Sequence, residues 1–158
     1  MTIKPTHLPS DQRELVITRV LNASRALVYK AWTDPKQAMQ WWGPRLYPAT
    51  HMEMDVRPGG TWRHCLTSTE DGRELWQHGV FREVIRNERL VFTFRWEEEG
   101  ERGIETLVTI TFADAGDGKT RLTLRQIPFQ STTERDGHNE GWNSSFDRLE
   151  DLVGRASR

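Results

Sequence analysis

The chain has one cysteine, Cys65, so no internal disulfide forms, and nothing pairs with it at metal-site spacing. A lone cysteine fits a reducing compartment. Residues 1–13 carry no apolar core of signal-peptide length. No stretch approaches the ~20 apolar residues of a membrane span, so the expected location is cytoplasmic and no membrane partner is expected. Charge of one sign is also missing. The 22 basic and 23 acidic residues are interspersed, the net charge is −1, and no basic stripe stands out, which makes nucleic acid a poor partner. Nucleophile elbow, zinc-protease helix and dinucleotide fingerprint are all absent, and no cofactor or metal is expected. There are no internal repeats and no low-complexity tract.

What is present is aromatic. Seven tryptophans and six phenylalanines are enough for a sizeable core in 158 residues, a length that fits one domain. Residues 1–13, with two prolines and mostly polar side chains, read as a flexible arm, and 14–156 as a single domain. Leu15 to Leu21 is β-branched and apolar, a first strand. Asn22-Ala23-Ser24 offers capping side chains ahead of a helix over 25–33, with Leu27, Val28, Ala31 and Trp32 on one face. Asp34-Pro35 ends it and opens a second short helix through Trp41. The period then changes to two. Strands are predicted over 47–56, 61–68, 75–85, 89–97, 104–113 and 119–127, joined by short polar hairpin connections. Arg57-Pro58-Gly59-Gly60 predicts a tight turn with positive φ at a glycine. Ser131 with Glu134 fits a capping box for a helix over 131–156. Trp142, Phe146, Leu149 and Val153 form its apolar stripe, and Gly137 and Gly141 weaken its front. Successive hairpins imply an antiparallel meander, and its apolar face needs a cover that only the last helix is long enough to supply.

Gly116-Asp117-Gly118-Lys119-Thr120 resembles the end of a phosphate loop, but it joins two strands and Ala113 stands where that loop needs glycine. His51, Glu53 and Asp55 share a strand face and read as its solvent side. His64 and His78 each follow a tryptophan by two, Trp62 and Trp76, so each shares that tryptophan's face. The hairpin register decides whether both histidines face one pocket, where a neutral imidazole orients a ligand or acts as acid–base. The alternative is a structural, hydrogen-bonded histidine. The expected inward sets are Trp62, His64 and Leu66; Leu90, Phe92, Phe94 and Trp96; Val108, Ile110 and Phe112; and Leu122 and Leu124.

Several segments together carry a resemblance: Trp32-Thr33-Asp34-Pro35, Trp41-Trp42-Gly43-Pro44, Arg57-Pro58-Gly59-Gly60, Gly79 to Val84, Glu88 to Thr93, Glu134 to His138, Gly141-Trp142 and Phe146 to Leu149. In this order, over about 14–154, the chain resembles the activator-of-heat-shock-protein-90-ATPase-like branch of the START/birch-pollen-allergen (SRPBCC) superfamily. The resemblance implies an α+β helix-grip fold, a curved seven-strand antiparallel sheet round a C-terminal helix with a cavity between. The family includes ligand carriers and cyclases. The first expectation is therefore a binding module for a small apolar or aromatic molecule. The alternatives are an enzyme in the same pocket (cyclase, hydrolase or isomerase, with His64 and His78 as catalytic candidates) and a co-chaperone-like interaction module. The expected ligand-binding residues are Trp62, His64, Trp76, His78, Phe92, Phe94, Trp96, Ile110, Phe112, His138, Trp142 and Phe146. A monomer or homodimer is expected.

Overall fold

The computed structural model describes Pro9 and residues 12–157. Most of the expected N-terminal arm lies outside the described residues. The elements are β1 (Leu15–Leu21), α1 (Arg25–Thr33), α2 (Pro35–Ala38), β2 (Ala49–Met54), β3 (Thr61–Thr67), β4 (Glu74–Ile85), β5 (Arg89–Trp96), β6 (Thr106–Gly116), β7 (Lys119–Ile127) and α3 (Thr132–Ala156). The acidic stretch after β5 closes with a short 3-10 turn at Glu101–Gly103. All strand pairings are antiparallel in one seven-stranded sheet of order β1-β7-β6-β5-β4-β3-β2. This is the expected helix-grip arrangement. No helix among the described residues is long and apolar enough to cross a membrane.

Local chemistry sets the element ends. Ser24 Oγ accepts from the Leu27 amide, and Asp34 Oδ1 accepts from the Lys36 amide ahead of Pro35. Gly59 takes φ +85° and the Gly60 amide donates to the Arg57 carbonyl, closing the expected turn. The Gly116-Asp117-Gly118 segment is a hairpin turn between β6 and β7, with positive φ at all three residues, and not a helix-opening loop. Ser131 Oγ accepts from the Glu134 amide at the start of α3. The helix then runs unbroken through Gly137 and Gly141.

The core lies between the concave sheet face and the helices. Phe146, Leu149 and Val153 of α3 are buried with Leu122 and Leu124 of β7, Ile110 of β6, and Val28 and Trp32 of α1. Trp32 is the hub, with ring centroids 4.7 Å from Trp41, 5.8 Å from Trp42 and 6.1 Å from Trp142. Arg148 of α3 donates to the Gly43 and Gln40 carbonyls, tying the helix to the loop after α2. That loop folds tightly at Gly43 (φ +92°), where a Cβ would collide with the Tyr47 carbonyl.

Candidate functional site

The β3–β4 hairpin fixes what faces inward. Its loop, residues 68–73, is closed by Ser68 N–H to the Arg73 carbonyl and pairs Thr67 with Glu74. Even-numbered residues of β3 therefore oppose odd-numbered residues of β4: His64 pairs with Gln77, and His78 pairs with Arg63. Opposed residues share a face, so His64 and His78 lie on opposite faces.

The expectation that Trp76 and His78 line the pocket is corrected accordingly. Both stand on the outer, convex face. Trp76 lies under the Arg63 guanidinium at 3.9 Å, and His78 Nδ1 lies 3.1 Å from Glu97 Oε2, which also takes Arg63. His51 joins this outer cluster, with its ring centroid 5.5 Å from Trp76.

His64 points inward but is packed solid. Its ring lies 4.9 Å from that of Trp42 and 4.7 Å from that of Trp62, and only 2% of the residue is exposed. Its Nδ1 has no hydrogen-bond partner. Burial pushes its pKa down to about 3, so the imidazole is neutral near pH 7. The space beside His64, Trp62 and Phe92 is about 10 Å³, at the lower limit for one water. Ile110, Phe112 and Phe146 are core residues that close the far side of the Trp32 cluster. Neither His64 nor His78 is therefore placed to act on a cavity-bound molecule.

The cavity itself, about 460 Å³, opens between β3–β5 and the first half of α3. Of the expected residues, Phe94, Trp96, His138 and Trp142 line it. Its roof is the loop after α2, with Trp42, Gly43, Pro44 and Tyr47. One wall is the inner face of the β4 arm, where Arg73, Leu75 and Gln77 recur at the strand period of two. The facing wall is α3, where Gly137, Gly141 and Ser145 recur at the helical spacing of four. The sequence reading missed Trp42, Arg73, Gln77 and the glycines as lining residues. The period-two run Arg73, Leu75, Gln77 was the available signal.

The polar groups are few and mostly committed. Trp42 Nε1 donates to Gln77 Oε1 at 2.6 Å. Trp142 Nε1 donates to Gln126 Oε1, and Gln126 donates in turn to Thr106. At the mouth, Trp96 Nε1 donates to His138 Nε2 at 3.1 Å. An indole N–H can only donate, so this nitrogen accepts and the neutral ring carries its proton on Nδ1. Glu134 Oε1 lies 3.6 Å from the same nitrogen and 3.5 Å from Arg102 Nε. Protonation of the ring gives Nε2 a hydrogen for Glu134, and that contact first, opposed by burial, and then the Arg102 charge hold the Glu134 carboxyl below its ordinary value. Arg102 also stacks on Trp96 at 4.4 Å and reaches Glu98. No group of acidic, histidine or cysteine side chains among the described residues has the geometry to hold a metal ion.

Comparison with known proteins places this geometry. Among solved structures, protein CV1439 of Chromobacterium violaceum superposes with TM-score 0.81 at 26% identity, covering 89% of this chain and 97% of that one. The AHSA1 protein SPO3351 of Silicibacter pomeroyi gives TM-score 0.79 at 23% identity, over 90% and 99%. Protein Ms6760 of Mycobacterium smegmatis gives 0.77 at 24% identity, over 96% of each. No protein of curated function matches the chain. The family model described as Activator of Hsp90 ATPase homolog 1-like protein matches residues 22–154, from the residue after β1 to the last turn of α3, and the chain belongs to that family.

Proposed function

We propose that the protein binds a small, largely apolar, aromatic-bodied molecule in the cavity between β3–β5 and α3. One observation carries this reading: the space of about 460 Å³ is walled mainly by Trp42, Phe94, Trp96, Trp142 and Leu75, with few polar groups. Both size and composition fall in the range of small-molecule sites. The roof is braced, since Arg148 and Ser144 of α3 bond the backbone at Gln40, Gly43 and Arg45, so the site is largely preformed. A cytoplasmic location is retained, supported by the one free, buried cysteine, Cys65.

The test is a thermal-shift screen of the purified chain against aromatic metabolites, run beside Gly141→Leu. A Cβ at Gly141 meets nothing within 4 Å, so leucine enters the open space without a backbone clash. Hits should raise the melting temperature of wild type and lose that shift in Gly141→Leu. Hits that shift both equally refute cavity binding, and a screen without hits favours a protein-interaction role.

The enzymatic alternative rests on a different residue from the two first singled out. His138, next to Glu134, is the one histidine lining the cavity. Mass spectrometry of a hit after incubation decides it: a ligand recovered unchanged supports carriage, and a new product that disappears in His138→Gln supports catalysis.

A further inference from the structure

Two nitrogen donors in the cavity are left without protein partners, and both belong to β4 or the residue before it. Gln77 is 2% exposed. Its amide orientation is chemically forced, because the Trp42 indole can only donate and therefore takes Oε1, turning the NH2 away. That nitrogen makes no hydrogen bond among the described residues, yet it is not sealed off, since Gln77 lines the cavity. It faces the open cavity and is free to donate to an acceptor placed there. The second donor is Arg73, exposed at the mouth on the same strand face. It forms no ion pair among the described residues, and Asp71 is the carboxylate that feels its charge. By contrast, Arg102, the other cavity arginine, is held by Glu134, Glu98 and the Trp96 ring. Glu134, the one lining carboxylate, stands on the opposite wall and is already engaged by Arg102 and His138. The free polar capacity on the β4 wall is thus donor-only, with a neutral donor deep and a cationic one at the mouth. Leu75, between them on that face, separates the two donors by an apolar step.

We propose that the cavity selects aromatic monocarboxylic acids, with the ring system among Trp42, Phe94, Trp96 and Trp142, a neutral oxygen acceptor on Gln77 Nε2, and the carboxylate on Arg73. This rests on the binding reading above and narrows it to a ligand class. The match is spatial as well as chemical. Four residues at about 3.3 Å each separate the two backbone positions by roughly 13 Å, and both residues line the same cavity, which suits a two-ring body.

The probes are benzophenone-4-carboxylate, benzophenone, biphenyl-4-carboxylate and 4-benzoylbenzylamine, titrated by calorimetry into wild type, Arg73→Gln and Gln77→Glu. Arg73→Gln removes a surface charge and should not disturb folding. Gln77→Glu keeps an acceptor for Trp42 and replaces the free donor by an acceptor. The keto-acid should bind wild type about tenfold tighter than benzophenone, and the amine weakest. Arg73→Gln should remove that advantage while leaving benzophenone unchanged. Gln77→Glu should weaken the keto-acid and benzophenone relative to the biphenyl acid. Benzophenone binding as tightly as the keto-acid, or an Arg73→Gln variant that keeps the preference, overturns the acid class while leaving cavity binding intact. An amine that binds best overturns it in favour of Glu134. Failure of all four probes overturns both the acid class and the aromatic-binding reading.

Discussion

His64 offers a measurement that reads burial directly. The ring is enclosed by Trp42 and Trp62, 2% exposed, and its pKa is pushed down to about 3. In the unfolded chain it titrates near 6.5. Between these values the unfolded state binds a proton that the folded state refuses. Stability is therefore full above pH 6.5 and falls as the pH drops toward 3, by up to about 1.4 kcal/mol per pH unit. From pH 7.5 to 5 the loss due to this one residue comes to about 2 kcal/mol. The carboxylates with depressed values, Glu134 and Glu97 among them, release their contributions only below about 4.5, so this window isolates the histidines. The assay is urea unfolding at half-unit pH intervals for wild type and His64→Phe. The offset between the two depends on how well phenylalanine packs, but the difference in slope does not. His64→Phe should flatten the curve by about 2 kcal/mol over the window. Parallel curves would mean that the imidazole is protonated in the folded state, and the buried, partnerless placement would be wrong.

Three more outcomes follow from the packing. Trp142→Ala removes a buried indole and strands the Gln126 carboxamide oxygen, so unfolding in urea should show a loss of about 3–5 kcal/mol. Gly79 sits opposite Trp62, whose indole crosses it to donate to the Thr93 carbonyl at 3.0 Å. A Cβ there would collide with that carbonyl and come within 2.5 Å of Trp62 Nε1, so Gly79→Ala should cost about 3 kcal/mol with a blue-to-red change in tryptophan emission, and an unchanged melt would discount the crossing. Glu134 has its carboxyl held below the ordinary 4.5, chiefly by His138. Its stabilising contribution is present above 4.5 and disappears as the pH falls through the lower folded value. Glu134→Gln should therefore flatten the pH dependence of stability below 4.5, read by urea unfolding across that range.

The sequence announced the elements whose pattern has one physical meaning. The alternation Leu90, Phe92, Phe94 lies inward and buried, and the stripe Trp142, Phe146, Leu149, Val153 lies buried on α3, because a period-two or heptad-like spacing of large apolar residues has only one way to leave water. The register between β3 and β4 was not announced. The short polar connection between these two strands marks a reversal but not its length. The observed loop runs from Ser68 to Arg73, and a change of one residue in the pairing would exchange His78 for Gln77 on the inner face. Hence Trp62 and His64 were placed on the correct face while Trp76 and His78 were not. Strand ends also shifted where backbone pairing outlasts apolar alternation, as in β6, which continues to Gly116 beyond the expected end at Ala113.

The cavity walls were hard to read for a related reason. Hydrophobic pattern finds what fills space, and this site consists of what leaves it empty. Along α3, one stripe carries Trp142, Phe146, Leu149 and Val153, while the neighbouring positions Gly137, Gly141 and Ser145 carry almost nothing. Glycine inside a helix costs up to about 1 kcal/mol relative to alanine, and at both glycines a Cβ would meet nothing within 4 Å. Close packing does not account for them. Their effect is to keep the front of the helix from filling the gap that its back half closes. The facing strand contributes the complement, with Gln77 where a packed core would place an apolar residue. A glycine pair that reads as a helix weakness and a polar residue that reads as a pattern break are thus one feature seen from two elements. The cavity lies where both local rules are broken at the same depth in the fold.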